Sequence, residues 1–284
     1  MGKIIGLITA WAAEPFIEPA LKQAIEYCDE VIVSVSANHK SFNKFADKTM
    51  EICKKYENDN KIKLVKGYSG NDHPSSKGIT LKKMLDETNN NKAGNWIWIL
   101  DADEFYFPED VELFKKIIKK NEYGRIMVPE KFFLVNTKNY IKWNRDRLKI
   151  LDKDNVSFRT NRVGNEKMVK TYNANEAIGM HHYSFLLNPY FKIAFWEREY
   201  GNPNLKNVKD KVKWMNDIYL KMDVNNQAPY VNKAKQLFNI NSILGPIFAG
   251  GPWKPTKPNG EAFKYDDKHP KFVEDAGLTK INDF

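Results

Sequence analysis

The first 125 residues alternate between short apolar runs and segments whose apolar residues recur every three or four positions. The runs predict β-strands and the periodic segments predict amphipathic helices, because each pattern places its apolar side chains together. The predicted strands are 3–9, 30–36, 61–65 and 95–100. The predicted helices carry apolar stripes that begin at Phe16, Phe42, Leu81 and Val111, and the second stripe continues to Tyr56. This alternation predicts an α/β fold, a mostly parallel sheet flanked by helices.

Ligands of open α/β sheets bind at the edge where the carboxyl ends of parallel strands meet. Four segments follow predicted strands and fall on this edge: the loop after Thr9, the loop after Ser36, Tyr68-Ser69-Gly70 and the stretch after Leu100. We therefore expect the functional site at this edge.

The apolar strand before residue 101 ends in three closely spaced carboxylates, those of Asp101, Asp103 and Glu104. If the extended conformation continued, Asp101 and Asp103 would face the same side of the chain. Two like charges at the end of a buried strand repel each other and lose solvation. A divalent cation would relieve both penalties, and oxygen ligands suit Mg²⁺ or Mn²⁺. The alternative interpretation is a capped strand end followed by a solvated turn.

Beyond residue 125 the periodicity weakens, and the chain is predicted to form a domain at 1–190 and a helical or irregular extension at 191–284. A strand is predicted at 125–128, and helices are predicted around 212–222 and 230–238. Trp253 and Tyr265 are interpreted as core aromatics or as sugar-facing rings. The middle region holds four arginines that either form a solvated face or contact a diphosphate or anionic acceptor: Arg145, Arg147, Arg159 and Arg162.

The chain carries a formal net charge of +9, from 45 basic and 36 acidic residues. A polyanionic partner such as DNA would explain this excess. A general bias toward Lys, Asn and Ile would produce the same excess regardless of function, and we favour this explanation because the basic residues are spread along the sequence instead of forming a nucleic-acid-binding run.

No apolar run approaches the ~20 residues needed to span a bilayer, so no transmembrane segment is predicted. The opening run Ile4-Ile5-Gly6-Leu7-Ile8 does not resemble a signal peptide. Cys28 and Cys53 each fall on the apolar stripe of a predicted helix. They are predicted to be buried thiols, which fits a cytoplasmic location.

This strand–helix series, reaching Leu100-Asp101-Ala102-Asp103-Glu104-Phe105, resembles nucleotide-sugar glycosyltransferases of the GT-A fold, in their family 2-like group. The resemblance covers roughly residues 3–125. Its acidic DXD motif matches Asp101-Ala102-Asp103, which implies that Asp103 is the main ligand of Mn²⁺ or Mg²⁺ and that Asp101 lies nearer the ribose. The nucleotide-sugar, with UDP favoured, is expected at Thr9, Ala10, Glu14, Ser36, Tyr68, Lys77, Asp101, Ala102 and Asp103.

Two positions depart from the family pattern. Many relatives carry Asn-Glu after the first strand, where this chain has Thr9-Ala10-Trp11-Ala12-Ala13-Glu14. Glu14 either takes that place or is the acidic first-turn residue of a helix. Relatives commonly have an Asp at the end of the second strand that contacts the base, whereas this chain has Ser34, Ser36, Ala37 and Asn38.

The resemblance also implies a downstream metal ligand and, for inverting chemistry, a general base. GT-A enzymes often complete the metal site with a histidine, for which we favour His182 over His181. The base is a carboxylate that lies between the DXD motif and this histidine. Glu176 is the candidate, with Glu130 and Glu166 as rivals, and each is otherwise an ordinary acid. A retaining mechanism would need no such base.

These features predict a metal-dependent glycosyltransferase that moves a sugar from a nucleotide donor to a hydroxyl. The acceptor would be a saccharide, a lipid-linked glycan or a hydroxylated DNA base. A sugar-1-phosphate nucleotidyltransferase is the enzymatic alternative, but that class has a Gly-rich phosphate loop after its first strand, which residues 9–14 lack. A basic nucleic-acid-binding protein would explain the charge but not the paired aspartates.

Overall fold

The structure is a computed structural model, and its described residues fall into two compact units. The described residues are 2–71, 73–90, 92, 94–133, 137–150, 157–159, 162–164, 170–175, 179–183, 186, 208–223, 226, 228–239 and 263–280. The first unit comprises Met1–Glu130, Asn144–His182 and His269–Leu278. The second comprises Lys131–Trp143, Tyr183–Lys268 and Thr279–Phe284. The domain boundary at residue 190 stays a prediction.

Strands and helices alternate from residue 4 to residue 120. In chain order they are β1 (Ile4–Ala10), α1 (Glu14–Tyr27), β2 (Glu30–Val35), a 3₁₀ turn (Lys40–Phe45), α2 (Thr49–Lys54), β3 (Ile62–Val65), α3 (His73–Asp86), β4 (Trp96–Asp101), β5 (Glu104–Phe105) and α4 (Pro108–Lys120). Strands dominate the next part: β6 (Arg125–Phe133), β7 (Asn139–Ile150), β8 (Ser157–Arg159), β9 (Arg162–Gly164), β10 (Thr171–Asn173) and β11 (Met180–His182). The remaining elements are α5 (Val208–Trp214), a π-helical turn (Met215–Tyr219), α6 (Ala228–Phe238), β12 (Phe263–Lys264), α7 (Lys271–Asp275) and a 3₁₀ turn (Leu278–Lys280).

The sheet is built around four parallel strands in the order β3-β2-β1-β4. β1 lies between β2 and β4, with Thr9 level with both Ser34 and Asp101. Beyond β4 the order continues β7-β6-β11-β5, and β7 runs antiparallel to β4. The predicted α/β fold, a parallel sheet flanked by helices as the GT-A resemblance implies, is confirmed.

Strand β4 forms the centre of the hydrophobic core, as its unbroken apolar run predicts. Trp98 is 1% exposed and stacks on Tyr27 of α1 at a centroid distance of 6.5 Å. On the same ring, Tyr106 and Phe114 pack edge-on at 4.9 and 6.2 Å. These contacts tie α1 and α4 to the strand that ends in the acidic motif.

Helix α4 follows the rules for helix ends closely. Pro108 occupies its first turn together with Glu109 and Asp110, and the chain leaves the helix through Asn121 at φ 53°. Acidic residues near the amino terminus complement the helix dipole, and a left-handed asparagine is a common helix stop. The ends of α4 therefore follow directly from its sequence.

Two predicted elements differ from those observed, and some strands were missed. The single helix predicted across residues 42–56 is wrong: a 3₁₀ turn ends at Phe45 and α2 begins only at Thr49. Asp47 lies in the gap, and its carboxylate accepts hydrogen bonds from the backbone N–H groups of Glu14 and Thr49, both at 2.9 Å. The strand predicted at 125–128 continues to Phe133. Strands β5 and β7 were not predicted.

The second unit contains α5, the π-helical turn and α6, close to the two helices predicted there. An aromatic cluster lies at its first segment: Phe133 stacks on Tyr183 at 4.7 Å, and Tyr265 packs edge-on to Phe133 at 5.1 Å. Tyr265 is 5% exposed and its hydroxyl donates to the carbonyl of Lys268. This burial favours the core interpretation of Tyr265, whereas Trp253 lies outside the described residues.

Two further expectations concern membrane-spanning helices and the two cysteines. Within the parts of the chain that the structure describes, no helix has the length and apolarity needed to cross a bilayer. Cys28 and Cys53 are both buried free thiols, as predicted. Burial raises the pKa of each thiol to about 12.

Candidate functional site

The acidic motif lies where β4 ends at the carboxyl edge of the parallel strands. The extended conformation stops at Asp101, residues 102 and 103 form a turn, and the two-residue strand β5 begins at Glu104. The two aspartates are therefore not on one face of a continuing strand, and their carboxylates have separate partners. Ala102 is buried within this turn.

Asp101 forms an ion pair with Lys77 of helix α3. Lys77 Nζ lies 2.7 Å from Asp101 Oδ1, and the two side chains are 9% and 17% exposed. Thr9 Oγ1 donates a longer hydrogen bond of 3.4 Å to the same oxygen, from the neighbouring position of β1. The structure thus brings together three of the predicted nucleotide-sugar residues, from β1, α3 and β4.

Asp103 lies against His182, the histidine that the sequence favoured. His182 Nε2 is 3.3 Å from Asp103 Oδ1, and the opposite ring nitrogen, Nδ1, is hydrogen-bonded to Glu130 Oε1. All three side chains are buried, with exposures of 5% for His182, 8% for Asp103 and 0% for Glu130. Burial lowers the pKa of His182, but the charges and hydrogen bonds of Asp103 and Glu130 outweigh it and raise that pKa to about 9.

Several donors at this point are of the kind that bind divalent cations. Ligand atoms of Glu104, Glu130 and His182 all lie within 4.8 Å of one another, and Asp103 adjoins the same imidazole. Carboxylate oxygens with an imidazole nitrogen suit Mn²⁺, Mg²⁺ or Zn²⁺. This buried cluster has more carboxylates than cationic groups, and a bound cation would compensate the excess negative charge. The residues present therefore fit a divalent metal.

Helix α1 holds the turn in place through one buried side chain. Gln23 is 1% exposed, its amide donates to the carbonyl of Glu104 at 3.0 Å, and its oxygen accepts from the N–H of Tyr106 at 2.8 Å. The Glu104 carboxylate in turn accepts the N–H of Asp101 at 3.1 Å. Both sides of β5 are thereby fixed, which positions Asp103.

The ends of β2 and β3 form a polar part of the edge. Ser36 donates from its hydroxyl to the carbonyl of Tyr68 at 3.2 Å, and Thr80 of α3 donates to the Asn38 side chain at 3.2 Å. Asn38 itself has a left-handed backbone, φ 53°. Gly67 is required here, because a Cβ would come within 2.4 Å of Ser36. Tyr68 is 42% exposed.

The loop after β1 is anchored to the segment that carries the 3₁₀ turn at Lys40–Phe45. Trp11 donates from its indole to the carbonyl of Phe42 at 2.9 Å, and Ala12 has φ 51°. The carboxylate of Glu14 lies 3.7 Å from Lys48 Nζ at an exposed position in the first turn of α1. Ala10 is buried at the end of β1. The contacts observed for the Glu14 carboxylate are thus with Lys48, and its role in donor binding stays a prediction.

Of the remaining predicted residues, His181 has a packing role, and the others lie outside the described part of the structure. His181 is fully buried and packs edge-on against Phe107 at 5.0 Å. Glu166 and Glu176 lie outside the described residues, as do the side chains of four arginines: Arg145, Arg147, Arg159 and Arg162.

Sequence reasoning missed three parts of the site. Glu130 was considered only as a base, although it continues the buried alternation of Ile126, Val128 and Phe132 along β6, which marks a buried acid. Glu104 was given no role, and Gln23 was not considered at all. The polar Gln23 falls on the apolar stripe of α1, a signal that could have singled it out.

Comparisons with known proteins give structural likenesses only. No family model matches this chain, and no curated protein does either. Staphylococcus aureus TarS is a similar solved structure, with a TM-score of 0.42, 12% identity, and coverage of 86% of this chain and 43% of that one. Francisella tularensis 2-C-methyl-D-erythritol 4-phosphate cytidylyltransferase has a TM-score of 0.32, 12% identity, and coverage of 84% and 88%. This chain thus spans less than half of the length of that TarS chain.

Proposed function

We propose that this protein is a metal-dependent glycosyltransferase that transfers a sugar from a nucleotide-sugar to a hydroxyl group. The observation that carries the proposal is the buried contact between Asp103 and His182, at 3.3 Å. These residues lie far apart in the sequence and meet at the carboxyl edge of a parallel sheet, where such folds bind ligands. An aspartate and a histidine so placed are the pair that the GT-A resemblance implies.

The remaining residues of the edge supply roles for donor binding. We assign the diphosphate to Lys77, because its ammonium group lies at this edge, 2.7 Å from Asp101. A divalent metal held by Asp103 and His182 would neutralise charge on the departing diphosphate. Thr9, Ser36 and Tyr68 would line the nucleoside side. The exposed ring of Tyr68 suits stacking on a base.

Several finer assignments belong to the proposal. We favour Mn²⁺ or Mg²⁺ as the metal and a UDP-sugar as the donor. Glu176 remains our candidate general base for an inverting reaction. We favour a saccharide or lipid-linked acceptor over a hydroxylated DNA base, and the free thiols Cys28 and Cys53 fit a cytoplasmic reaction.

The first test is thermal stability with a panel of nucleotide-sugars, each with and without Mn²⁺. A donor at 100 times its Kd stabilises the folded state by about 2.7 kcal/mol. For a chain of 284 residues that corresponds to a rise in Tm of roughly 4–5 °C. We expect such a rise with a UDP-sugar plus Mn²⁺ and a much smaller one without metal. No shift with any nucleotide-sugar would count against the proposal.

The same panel separates this function from the nucleotidyltransferase alternative. A nucleotidyltransferase would respond to a nucleoside triphosphate with its metal and would form a nucleotide-sugar from a sugar phosphate. The glycosyltransferase proposal instead expects a response to the nucleotide-sugar and release of a nucleoside diphosphate.

A further inference from the structure

The two ring nitrogens of buried His182 have different partners, and this determines which nitrogen can bind a metal. A histidine has two ring nitrogens, and a partner that accepts the proton of one leaves the other available to a metal. Here Glu130 Oε1 holds Nδ1, and Nε2 faces Asp103 at 3.3 Å. We infer that Glu130 is a positioning residue that orients His182 Nε2 toward the metal, and that it is not the general base. This inference rests on the proposed metal-dependent function.

The fold fixes this arrangement from both sides. Glu130 lies on the buried face of β6, and β11 places His182 directly opposite Glu104 of β5 in an antiparallel pair. Strand β11, which carries the imidazole, is therefore held between β5 and β6. With both side chains buried, the ring cannot turn over without breaking the hydrogen bond to Glu130.

The same burial argues against a role for Glu130 as the base. A general base must come within about 2.6–3.2 Å of the acceptor hydroxyl, directly or through one water. The Glu130 side chain is 0% exposed and its Oε1 is engaged by His182. An acceptor would have to displace the imidazole to reach that oxygen. A carboxylate that binds a ligating histidine in this way raises its basicity and fixes its tautomer.

Mn²⁺ affinity, measured by electron paramagnetic resonance of the free ion, tests the inference. Glu130→Gln should weaken Mn²⁺ binding by about 10- to 100-fold, the usual cost of losing such a partner. Glu130→Asp keeps the charge on a shorter side chain, so its Mn²⁺ affinity should fall between those of Glu130→Gln and the wild type. If Glu130→Gln does not fold, the Mn²⁺ affinity of Glu130→Asp is the test. Glu30→Gln is the matched control, because Glu30 is another buried carboxylate of the sheet and contacts residues Thr88 and Asn90 instead of His182.

Hydrolysis of the nucleotide-sugar as a function of Mn²⁺ gives a second readout. In the positioning role, raising Mn²⁺ recovers most of the rate lost in Glu130→Gln. A general base would lose the maximal rate while keeping the Mn²⁺ affinity, and that result would overturn the inference. Wild-type Mn²⁺ affinity in both Glu130 variants would also overturn it. A wild-type protein that binds no Mn²⁺ would instead overturn the proposed metal site, and the inference with it.

Discussion

Loss of the Lys77 charge should destabilise the protein far more than loss of an exposed lysine charge. At the 2.7 Å separation of Lys77 and Asp101, an effective dielectric constant of about 20 gives a gross attraction of about 6 kcal/mol. Desolvation of both groups offsets part of this gain, since the side chains are only 9% and 17% exposed. Lys77→Met removes this ion pair from a largely buried carboxylate, to which Thr9 donates only a long hydrogen bond of 3.4 Å, so we expect a loss of about 2–4 kcal/mol in unfolding free energy.

A double-mutant cycle with Asp101→Asn measures the pair itself, through urea unfolding followed by tryptophan fluorescence. We expect a coupling energy of about 1.5–3 kcal/mol for Lys77 and Asp101. The control is the pair of Lys63 and Glu87, which has a similar separation of 2.6 Å but exposures of 44% and 51%. That exposed pair should couple by less than about 1 kcal/mol. Equal coupling in the two cycles would show that solvent screens the Lys77 pair and would refute the reasoning.

Three further predictions concern buried groups of the first unit. Cys28 and Cys53, with pKa values raised by burial to about 12, should resist a disulfide reagent at pH 8 in the native protein and both react in denaturant. Hydrogen bonds to Glu30 outweigh its burial and lower its pKa, so it stabilises the fold above its unfolded pKa near 4.5. Glu30→Gln should therefore cost about 1–3 kcal/mol at pH 7, and this difference should shrink below pH 4.5 in unfolding experiments. Gln23→Ala should lower stability by about 2 kcal/mol, since the backbone groups flanking β5 lose their partners; an unchanged Tm would contradict it.

Long apolar patterns made the parallel core predictable from the sequence. Strand β4 and helix α4 each carry enough periodic apolar residues to mark their type and approximate ends. Strand β5 has two residues, too few for any period, and it depends on pairing with β11. The break between the 3₁₀ turn and α2 depends on Asp47, whose partner Glu14 is distant in sequence.

The two aspartates and His182 were predicted as site residues, but the ion pair of Asp101 with Lys77 and the contact of Glu130 with His182 were not. Like charges at Asp101 and Asp103 suggested mutual repulsion, which a single metal would relieve. In the structure Asp101 forms an ion pair with Lys77, and His182 lies next to Asp103. These partners come from a helix and a strand that only the folded chain brings together. Glu130 reaches His182 for the same reason, because two strands of the sheet place it there.

The most direct test of the metal site is Mn²⁺ binding to variants of its two proposed ligands. Asp103→Asn keeps the size of the side chain and removes its charge, so we expect a folded protein that has lost Mn²⁺ binding and the Mn²⁺-dependent response to a nucleotide-sugar. His182→Ala should weaken Mn²⁺ binding as well. His181→Ala is the matched control, since its ring packs against Phe107, and it should bind Mn²⁺ like the wild type. Wild-type Mn²⁺ affinity in Asp103→Asn would contradict the account.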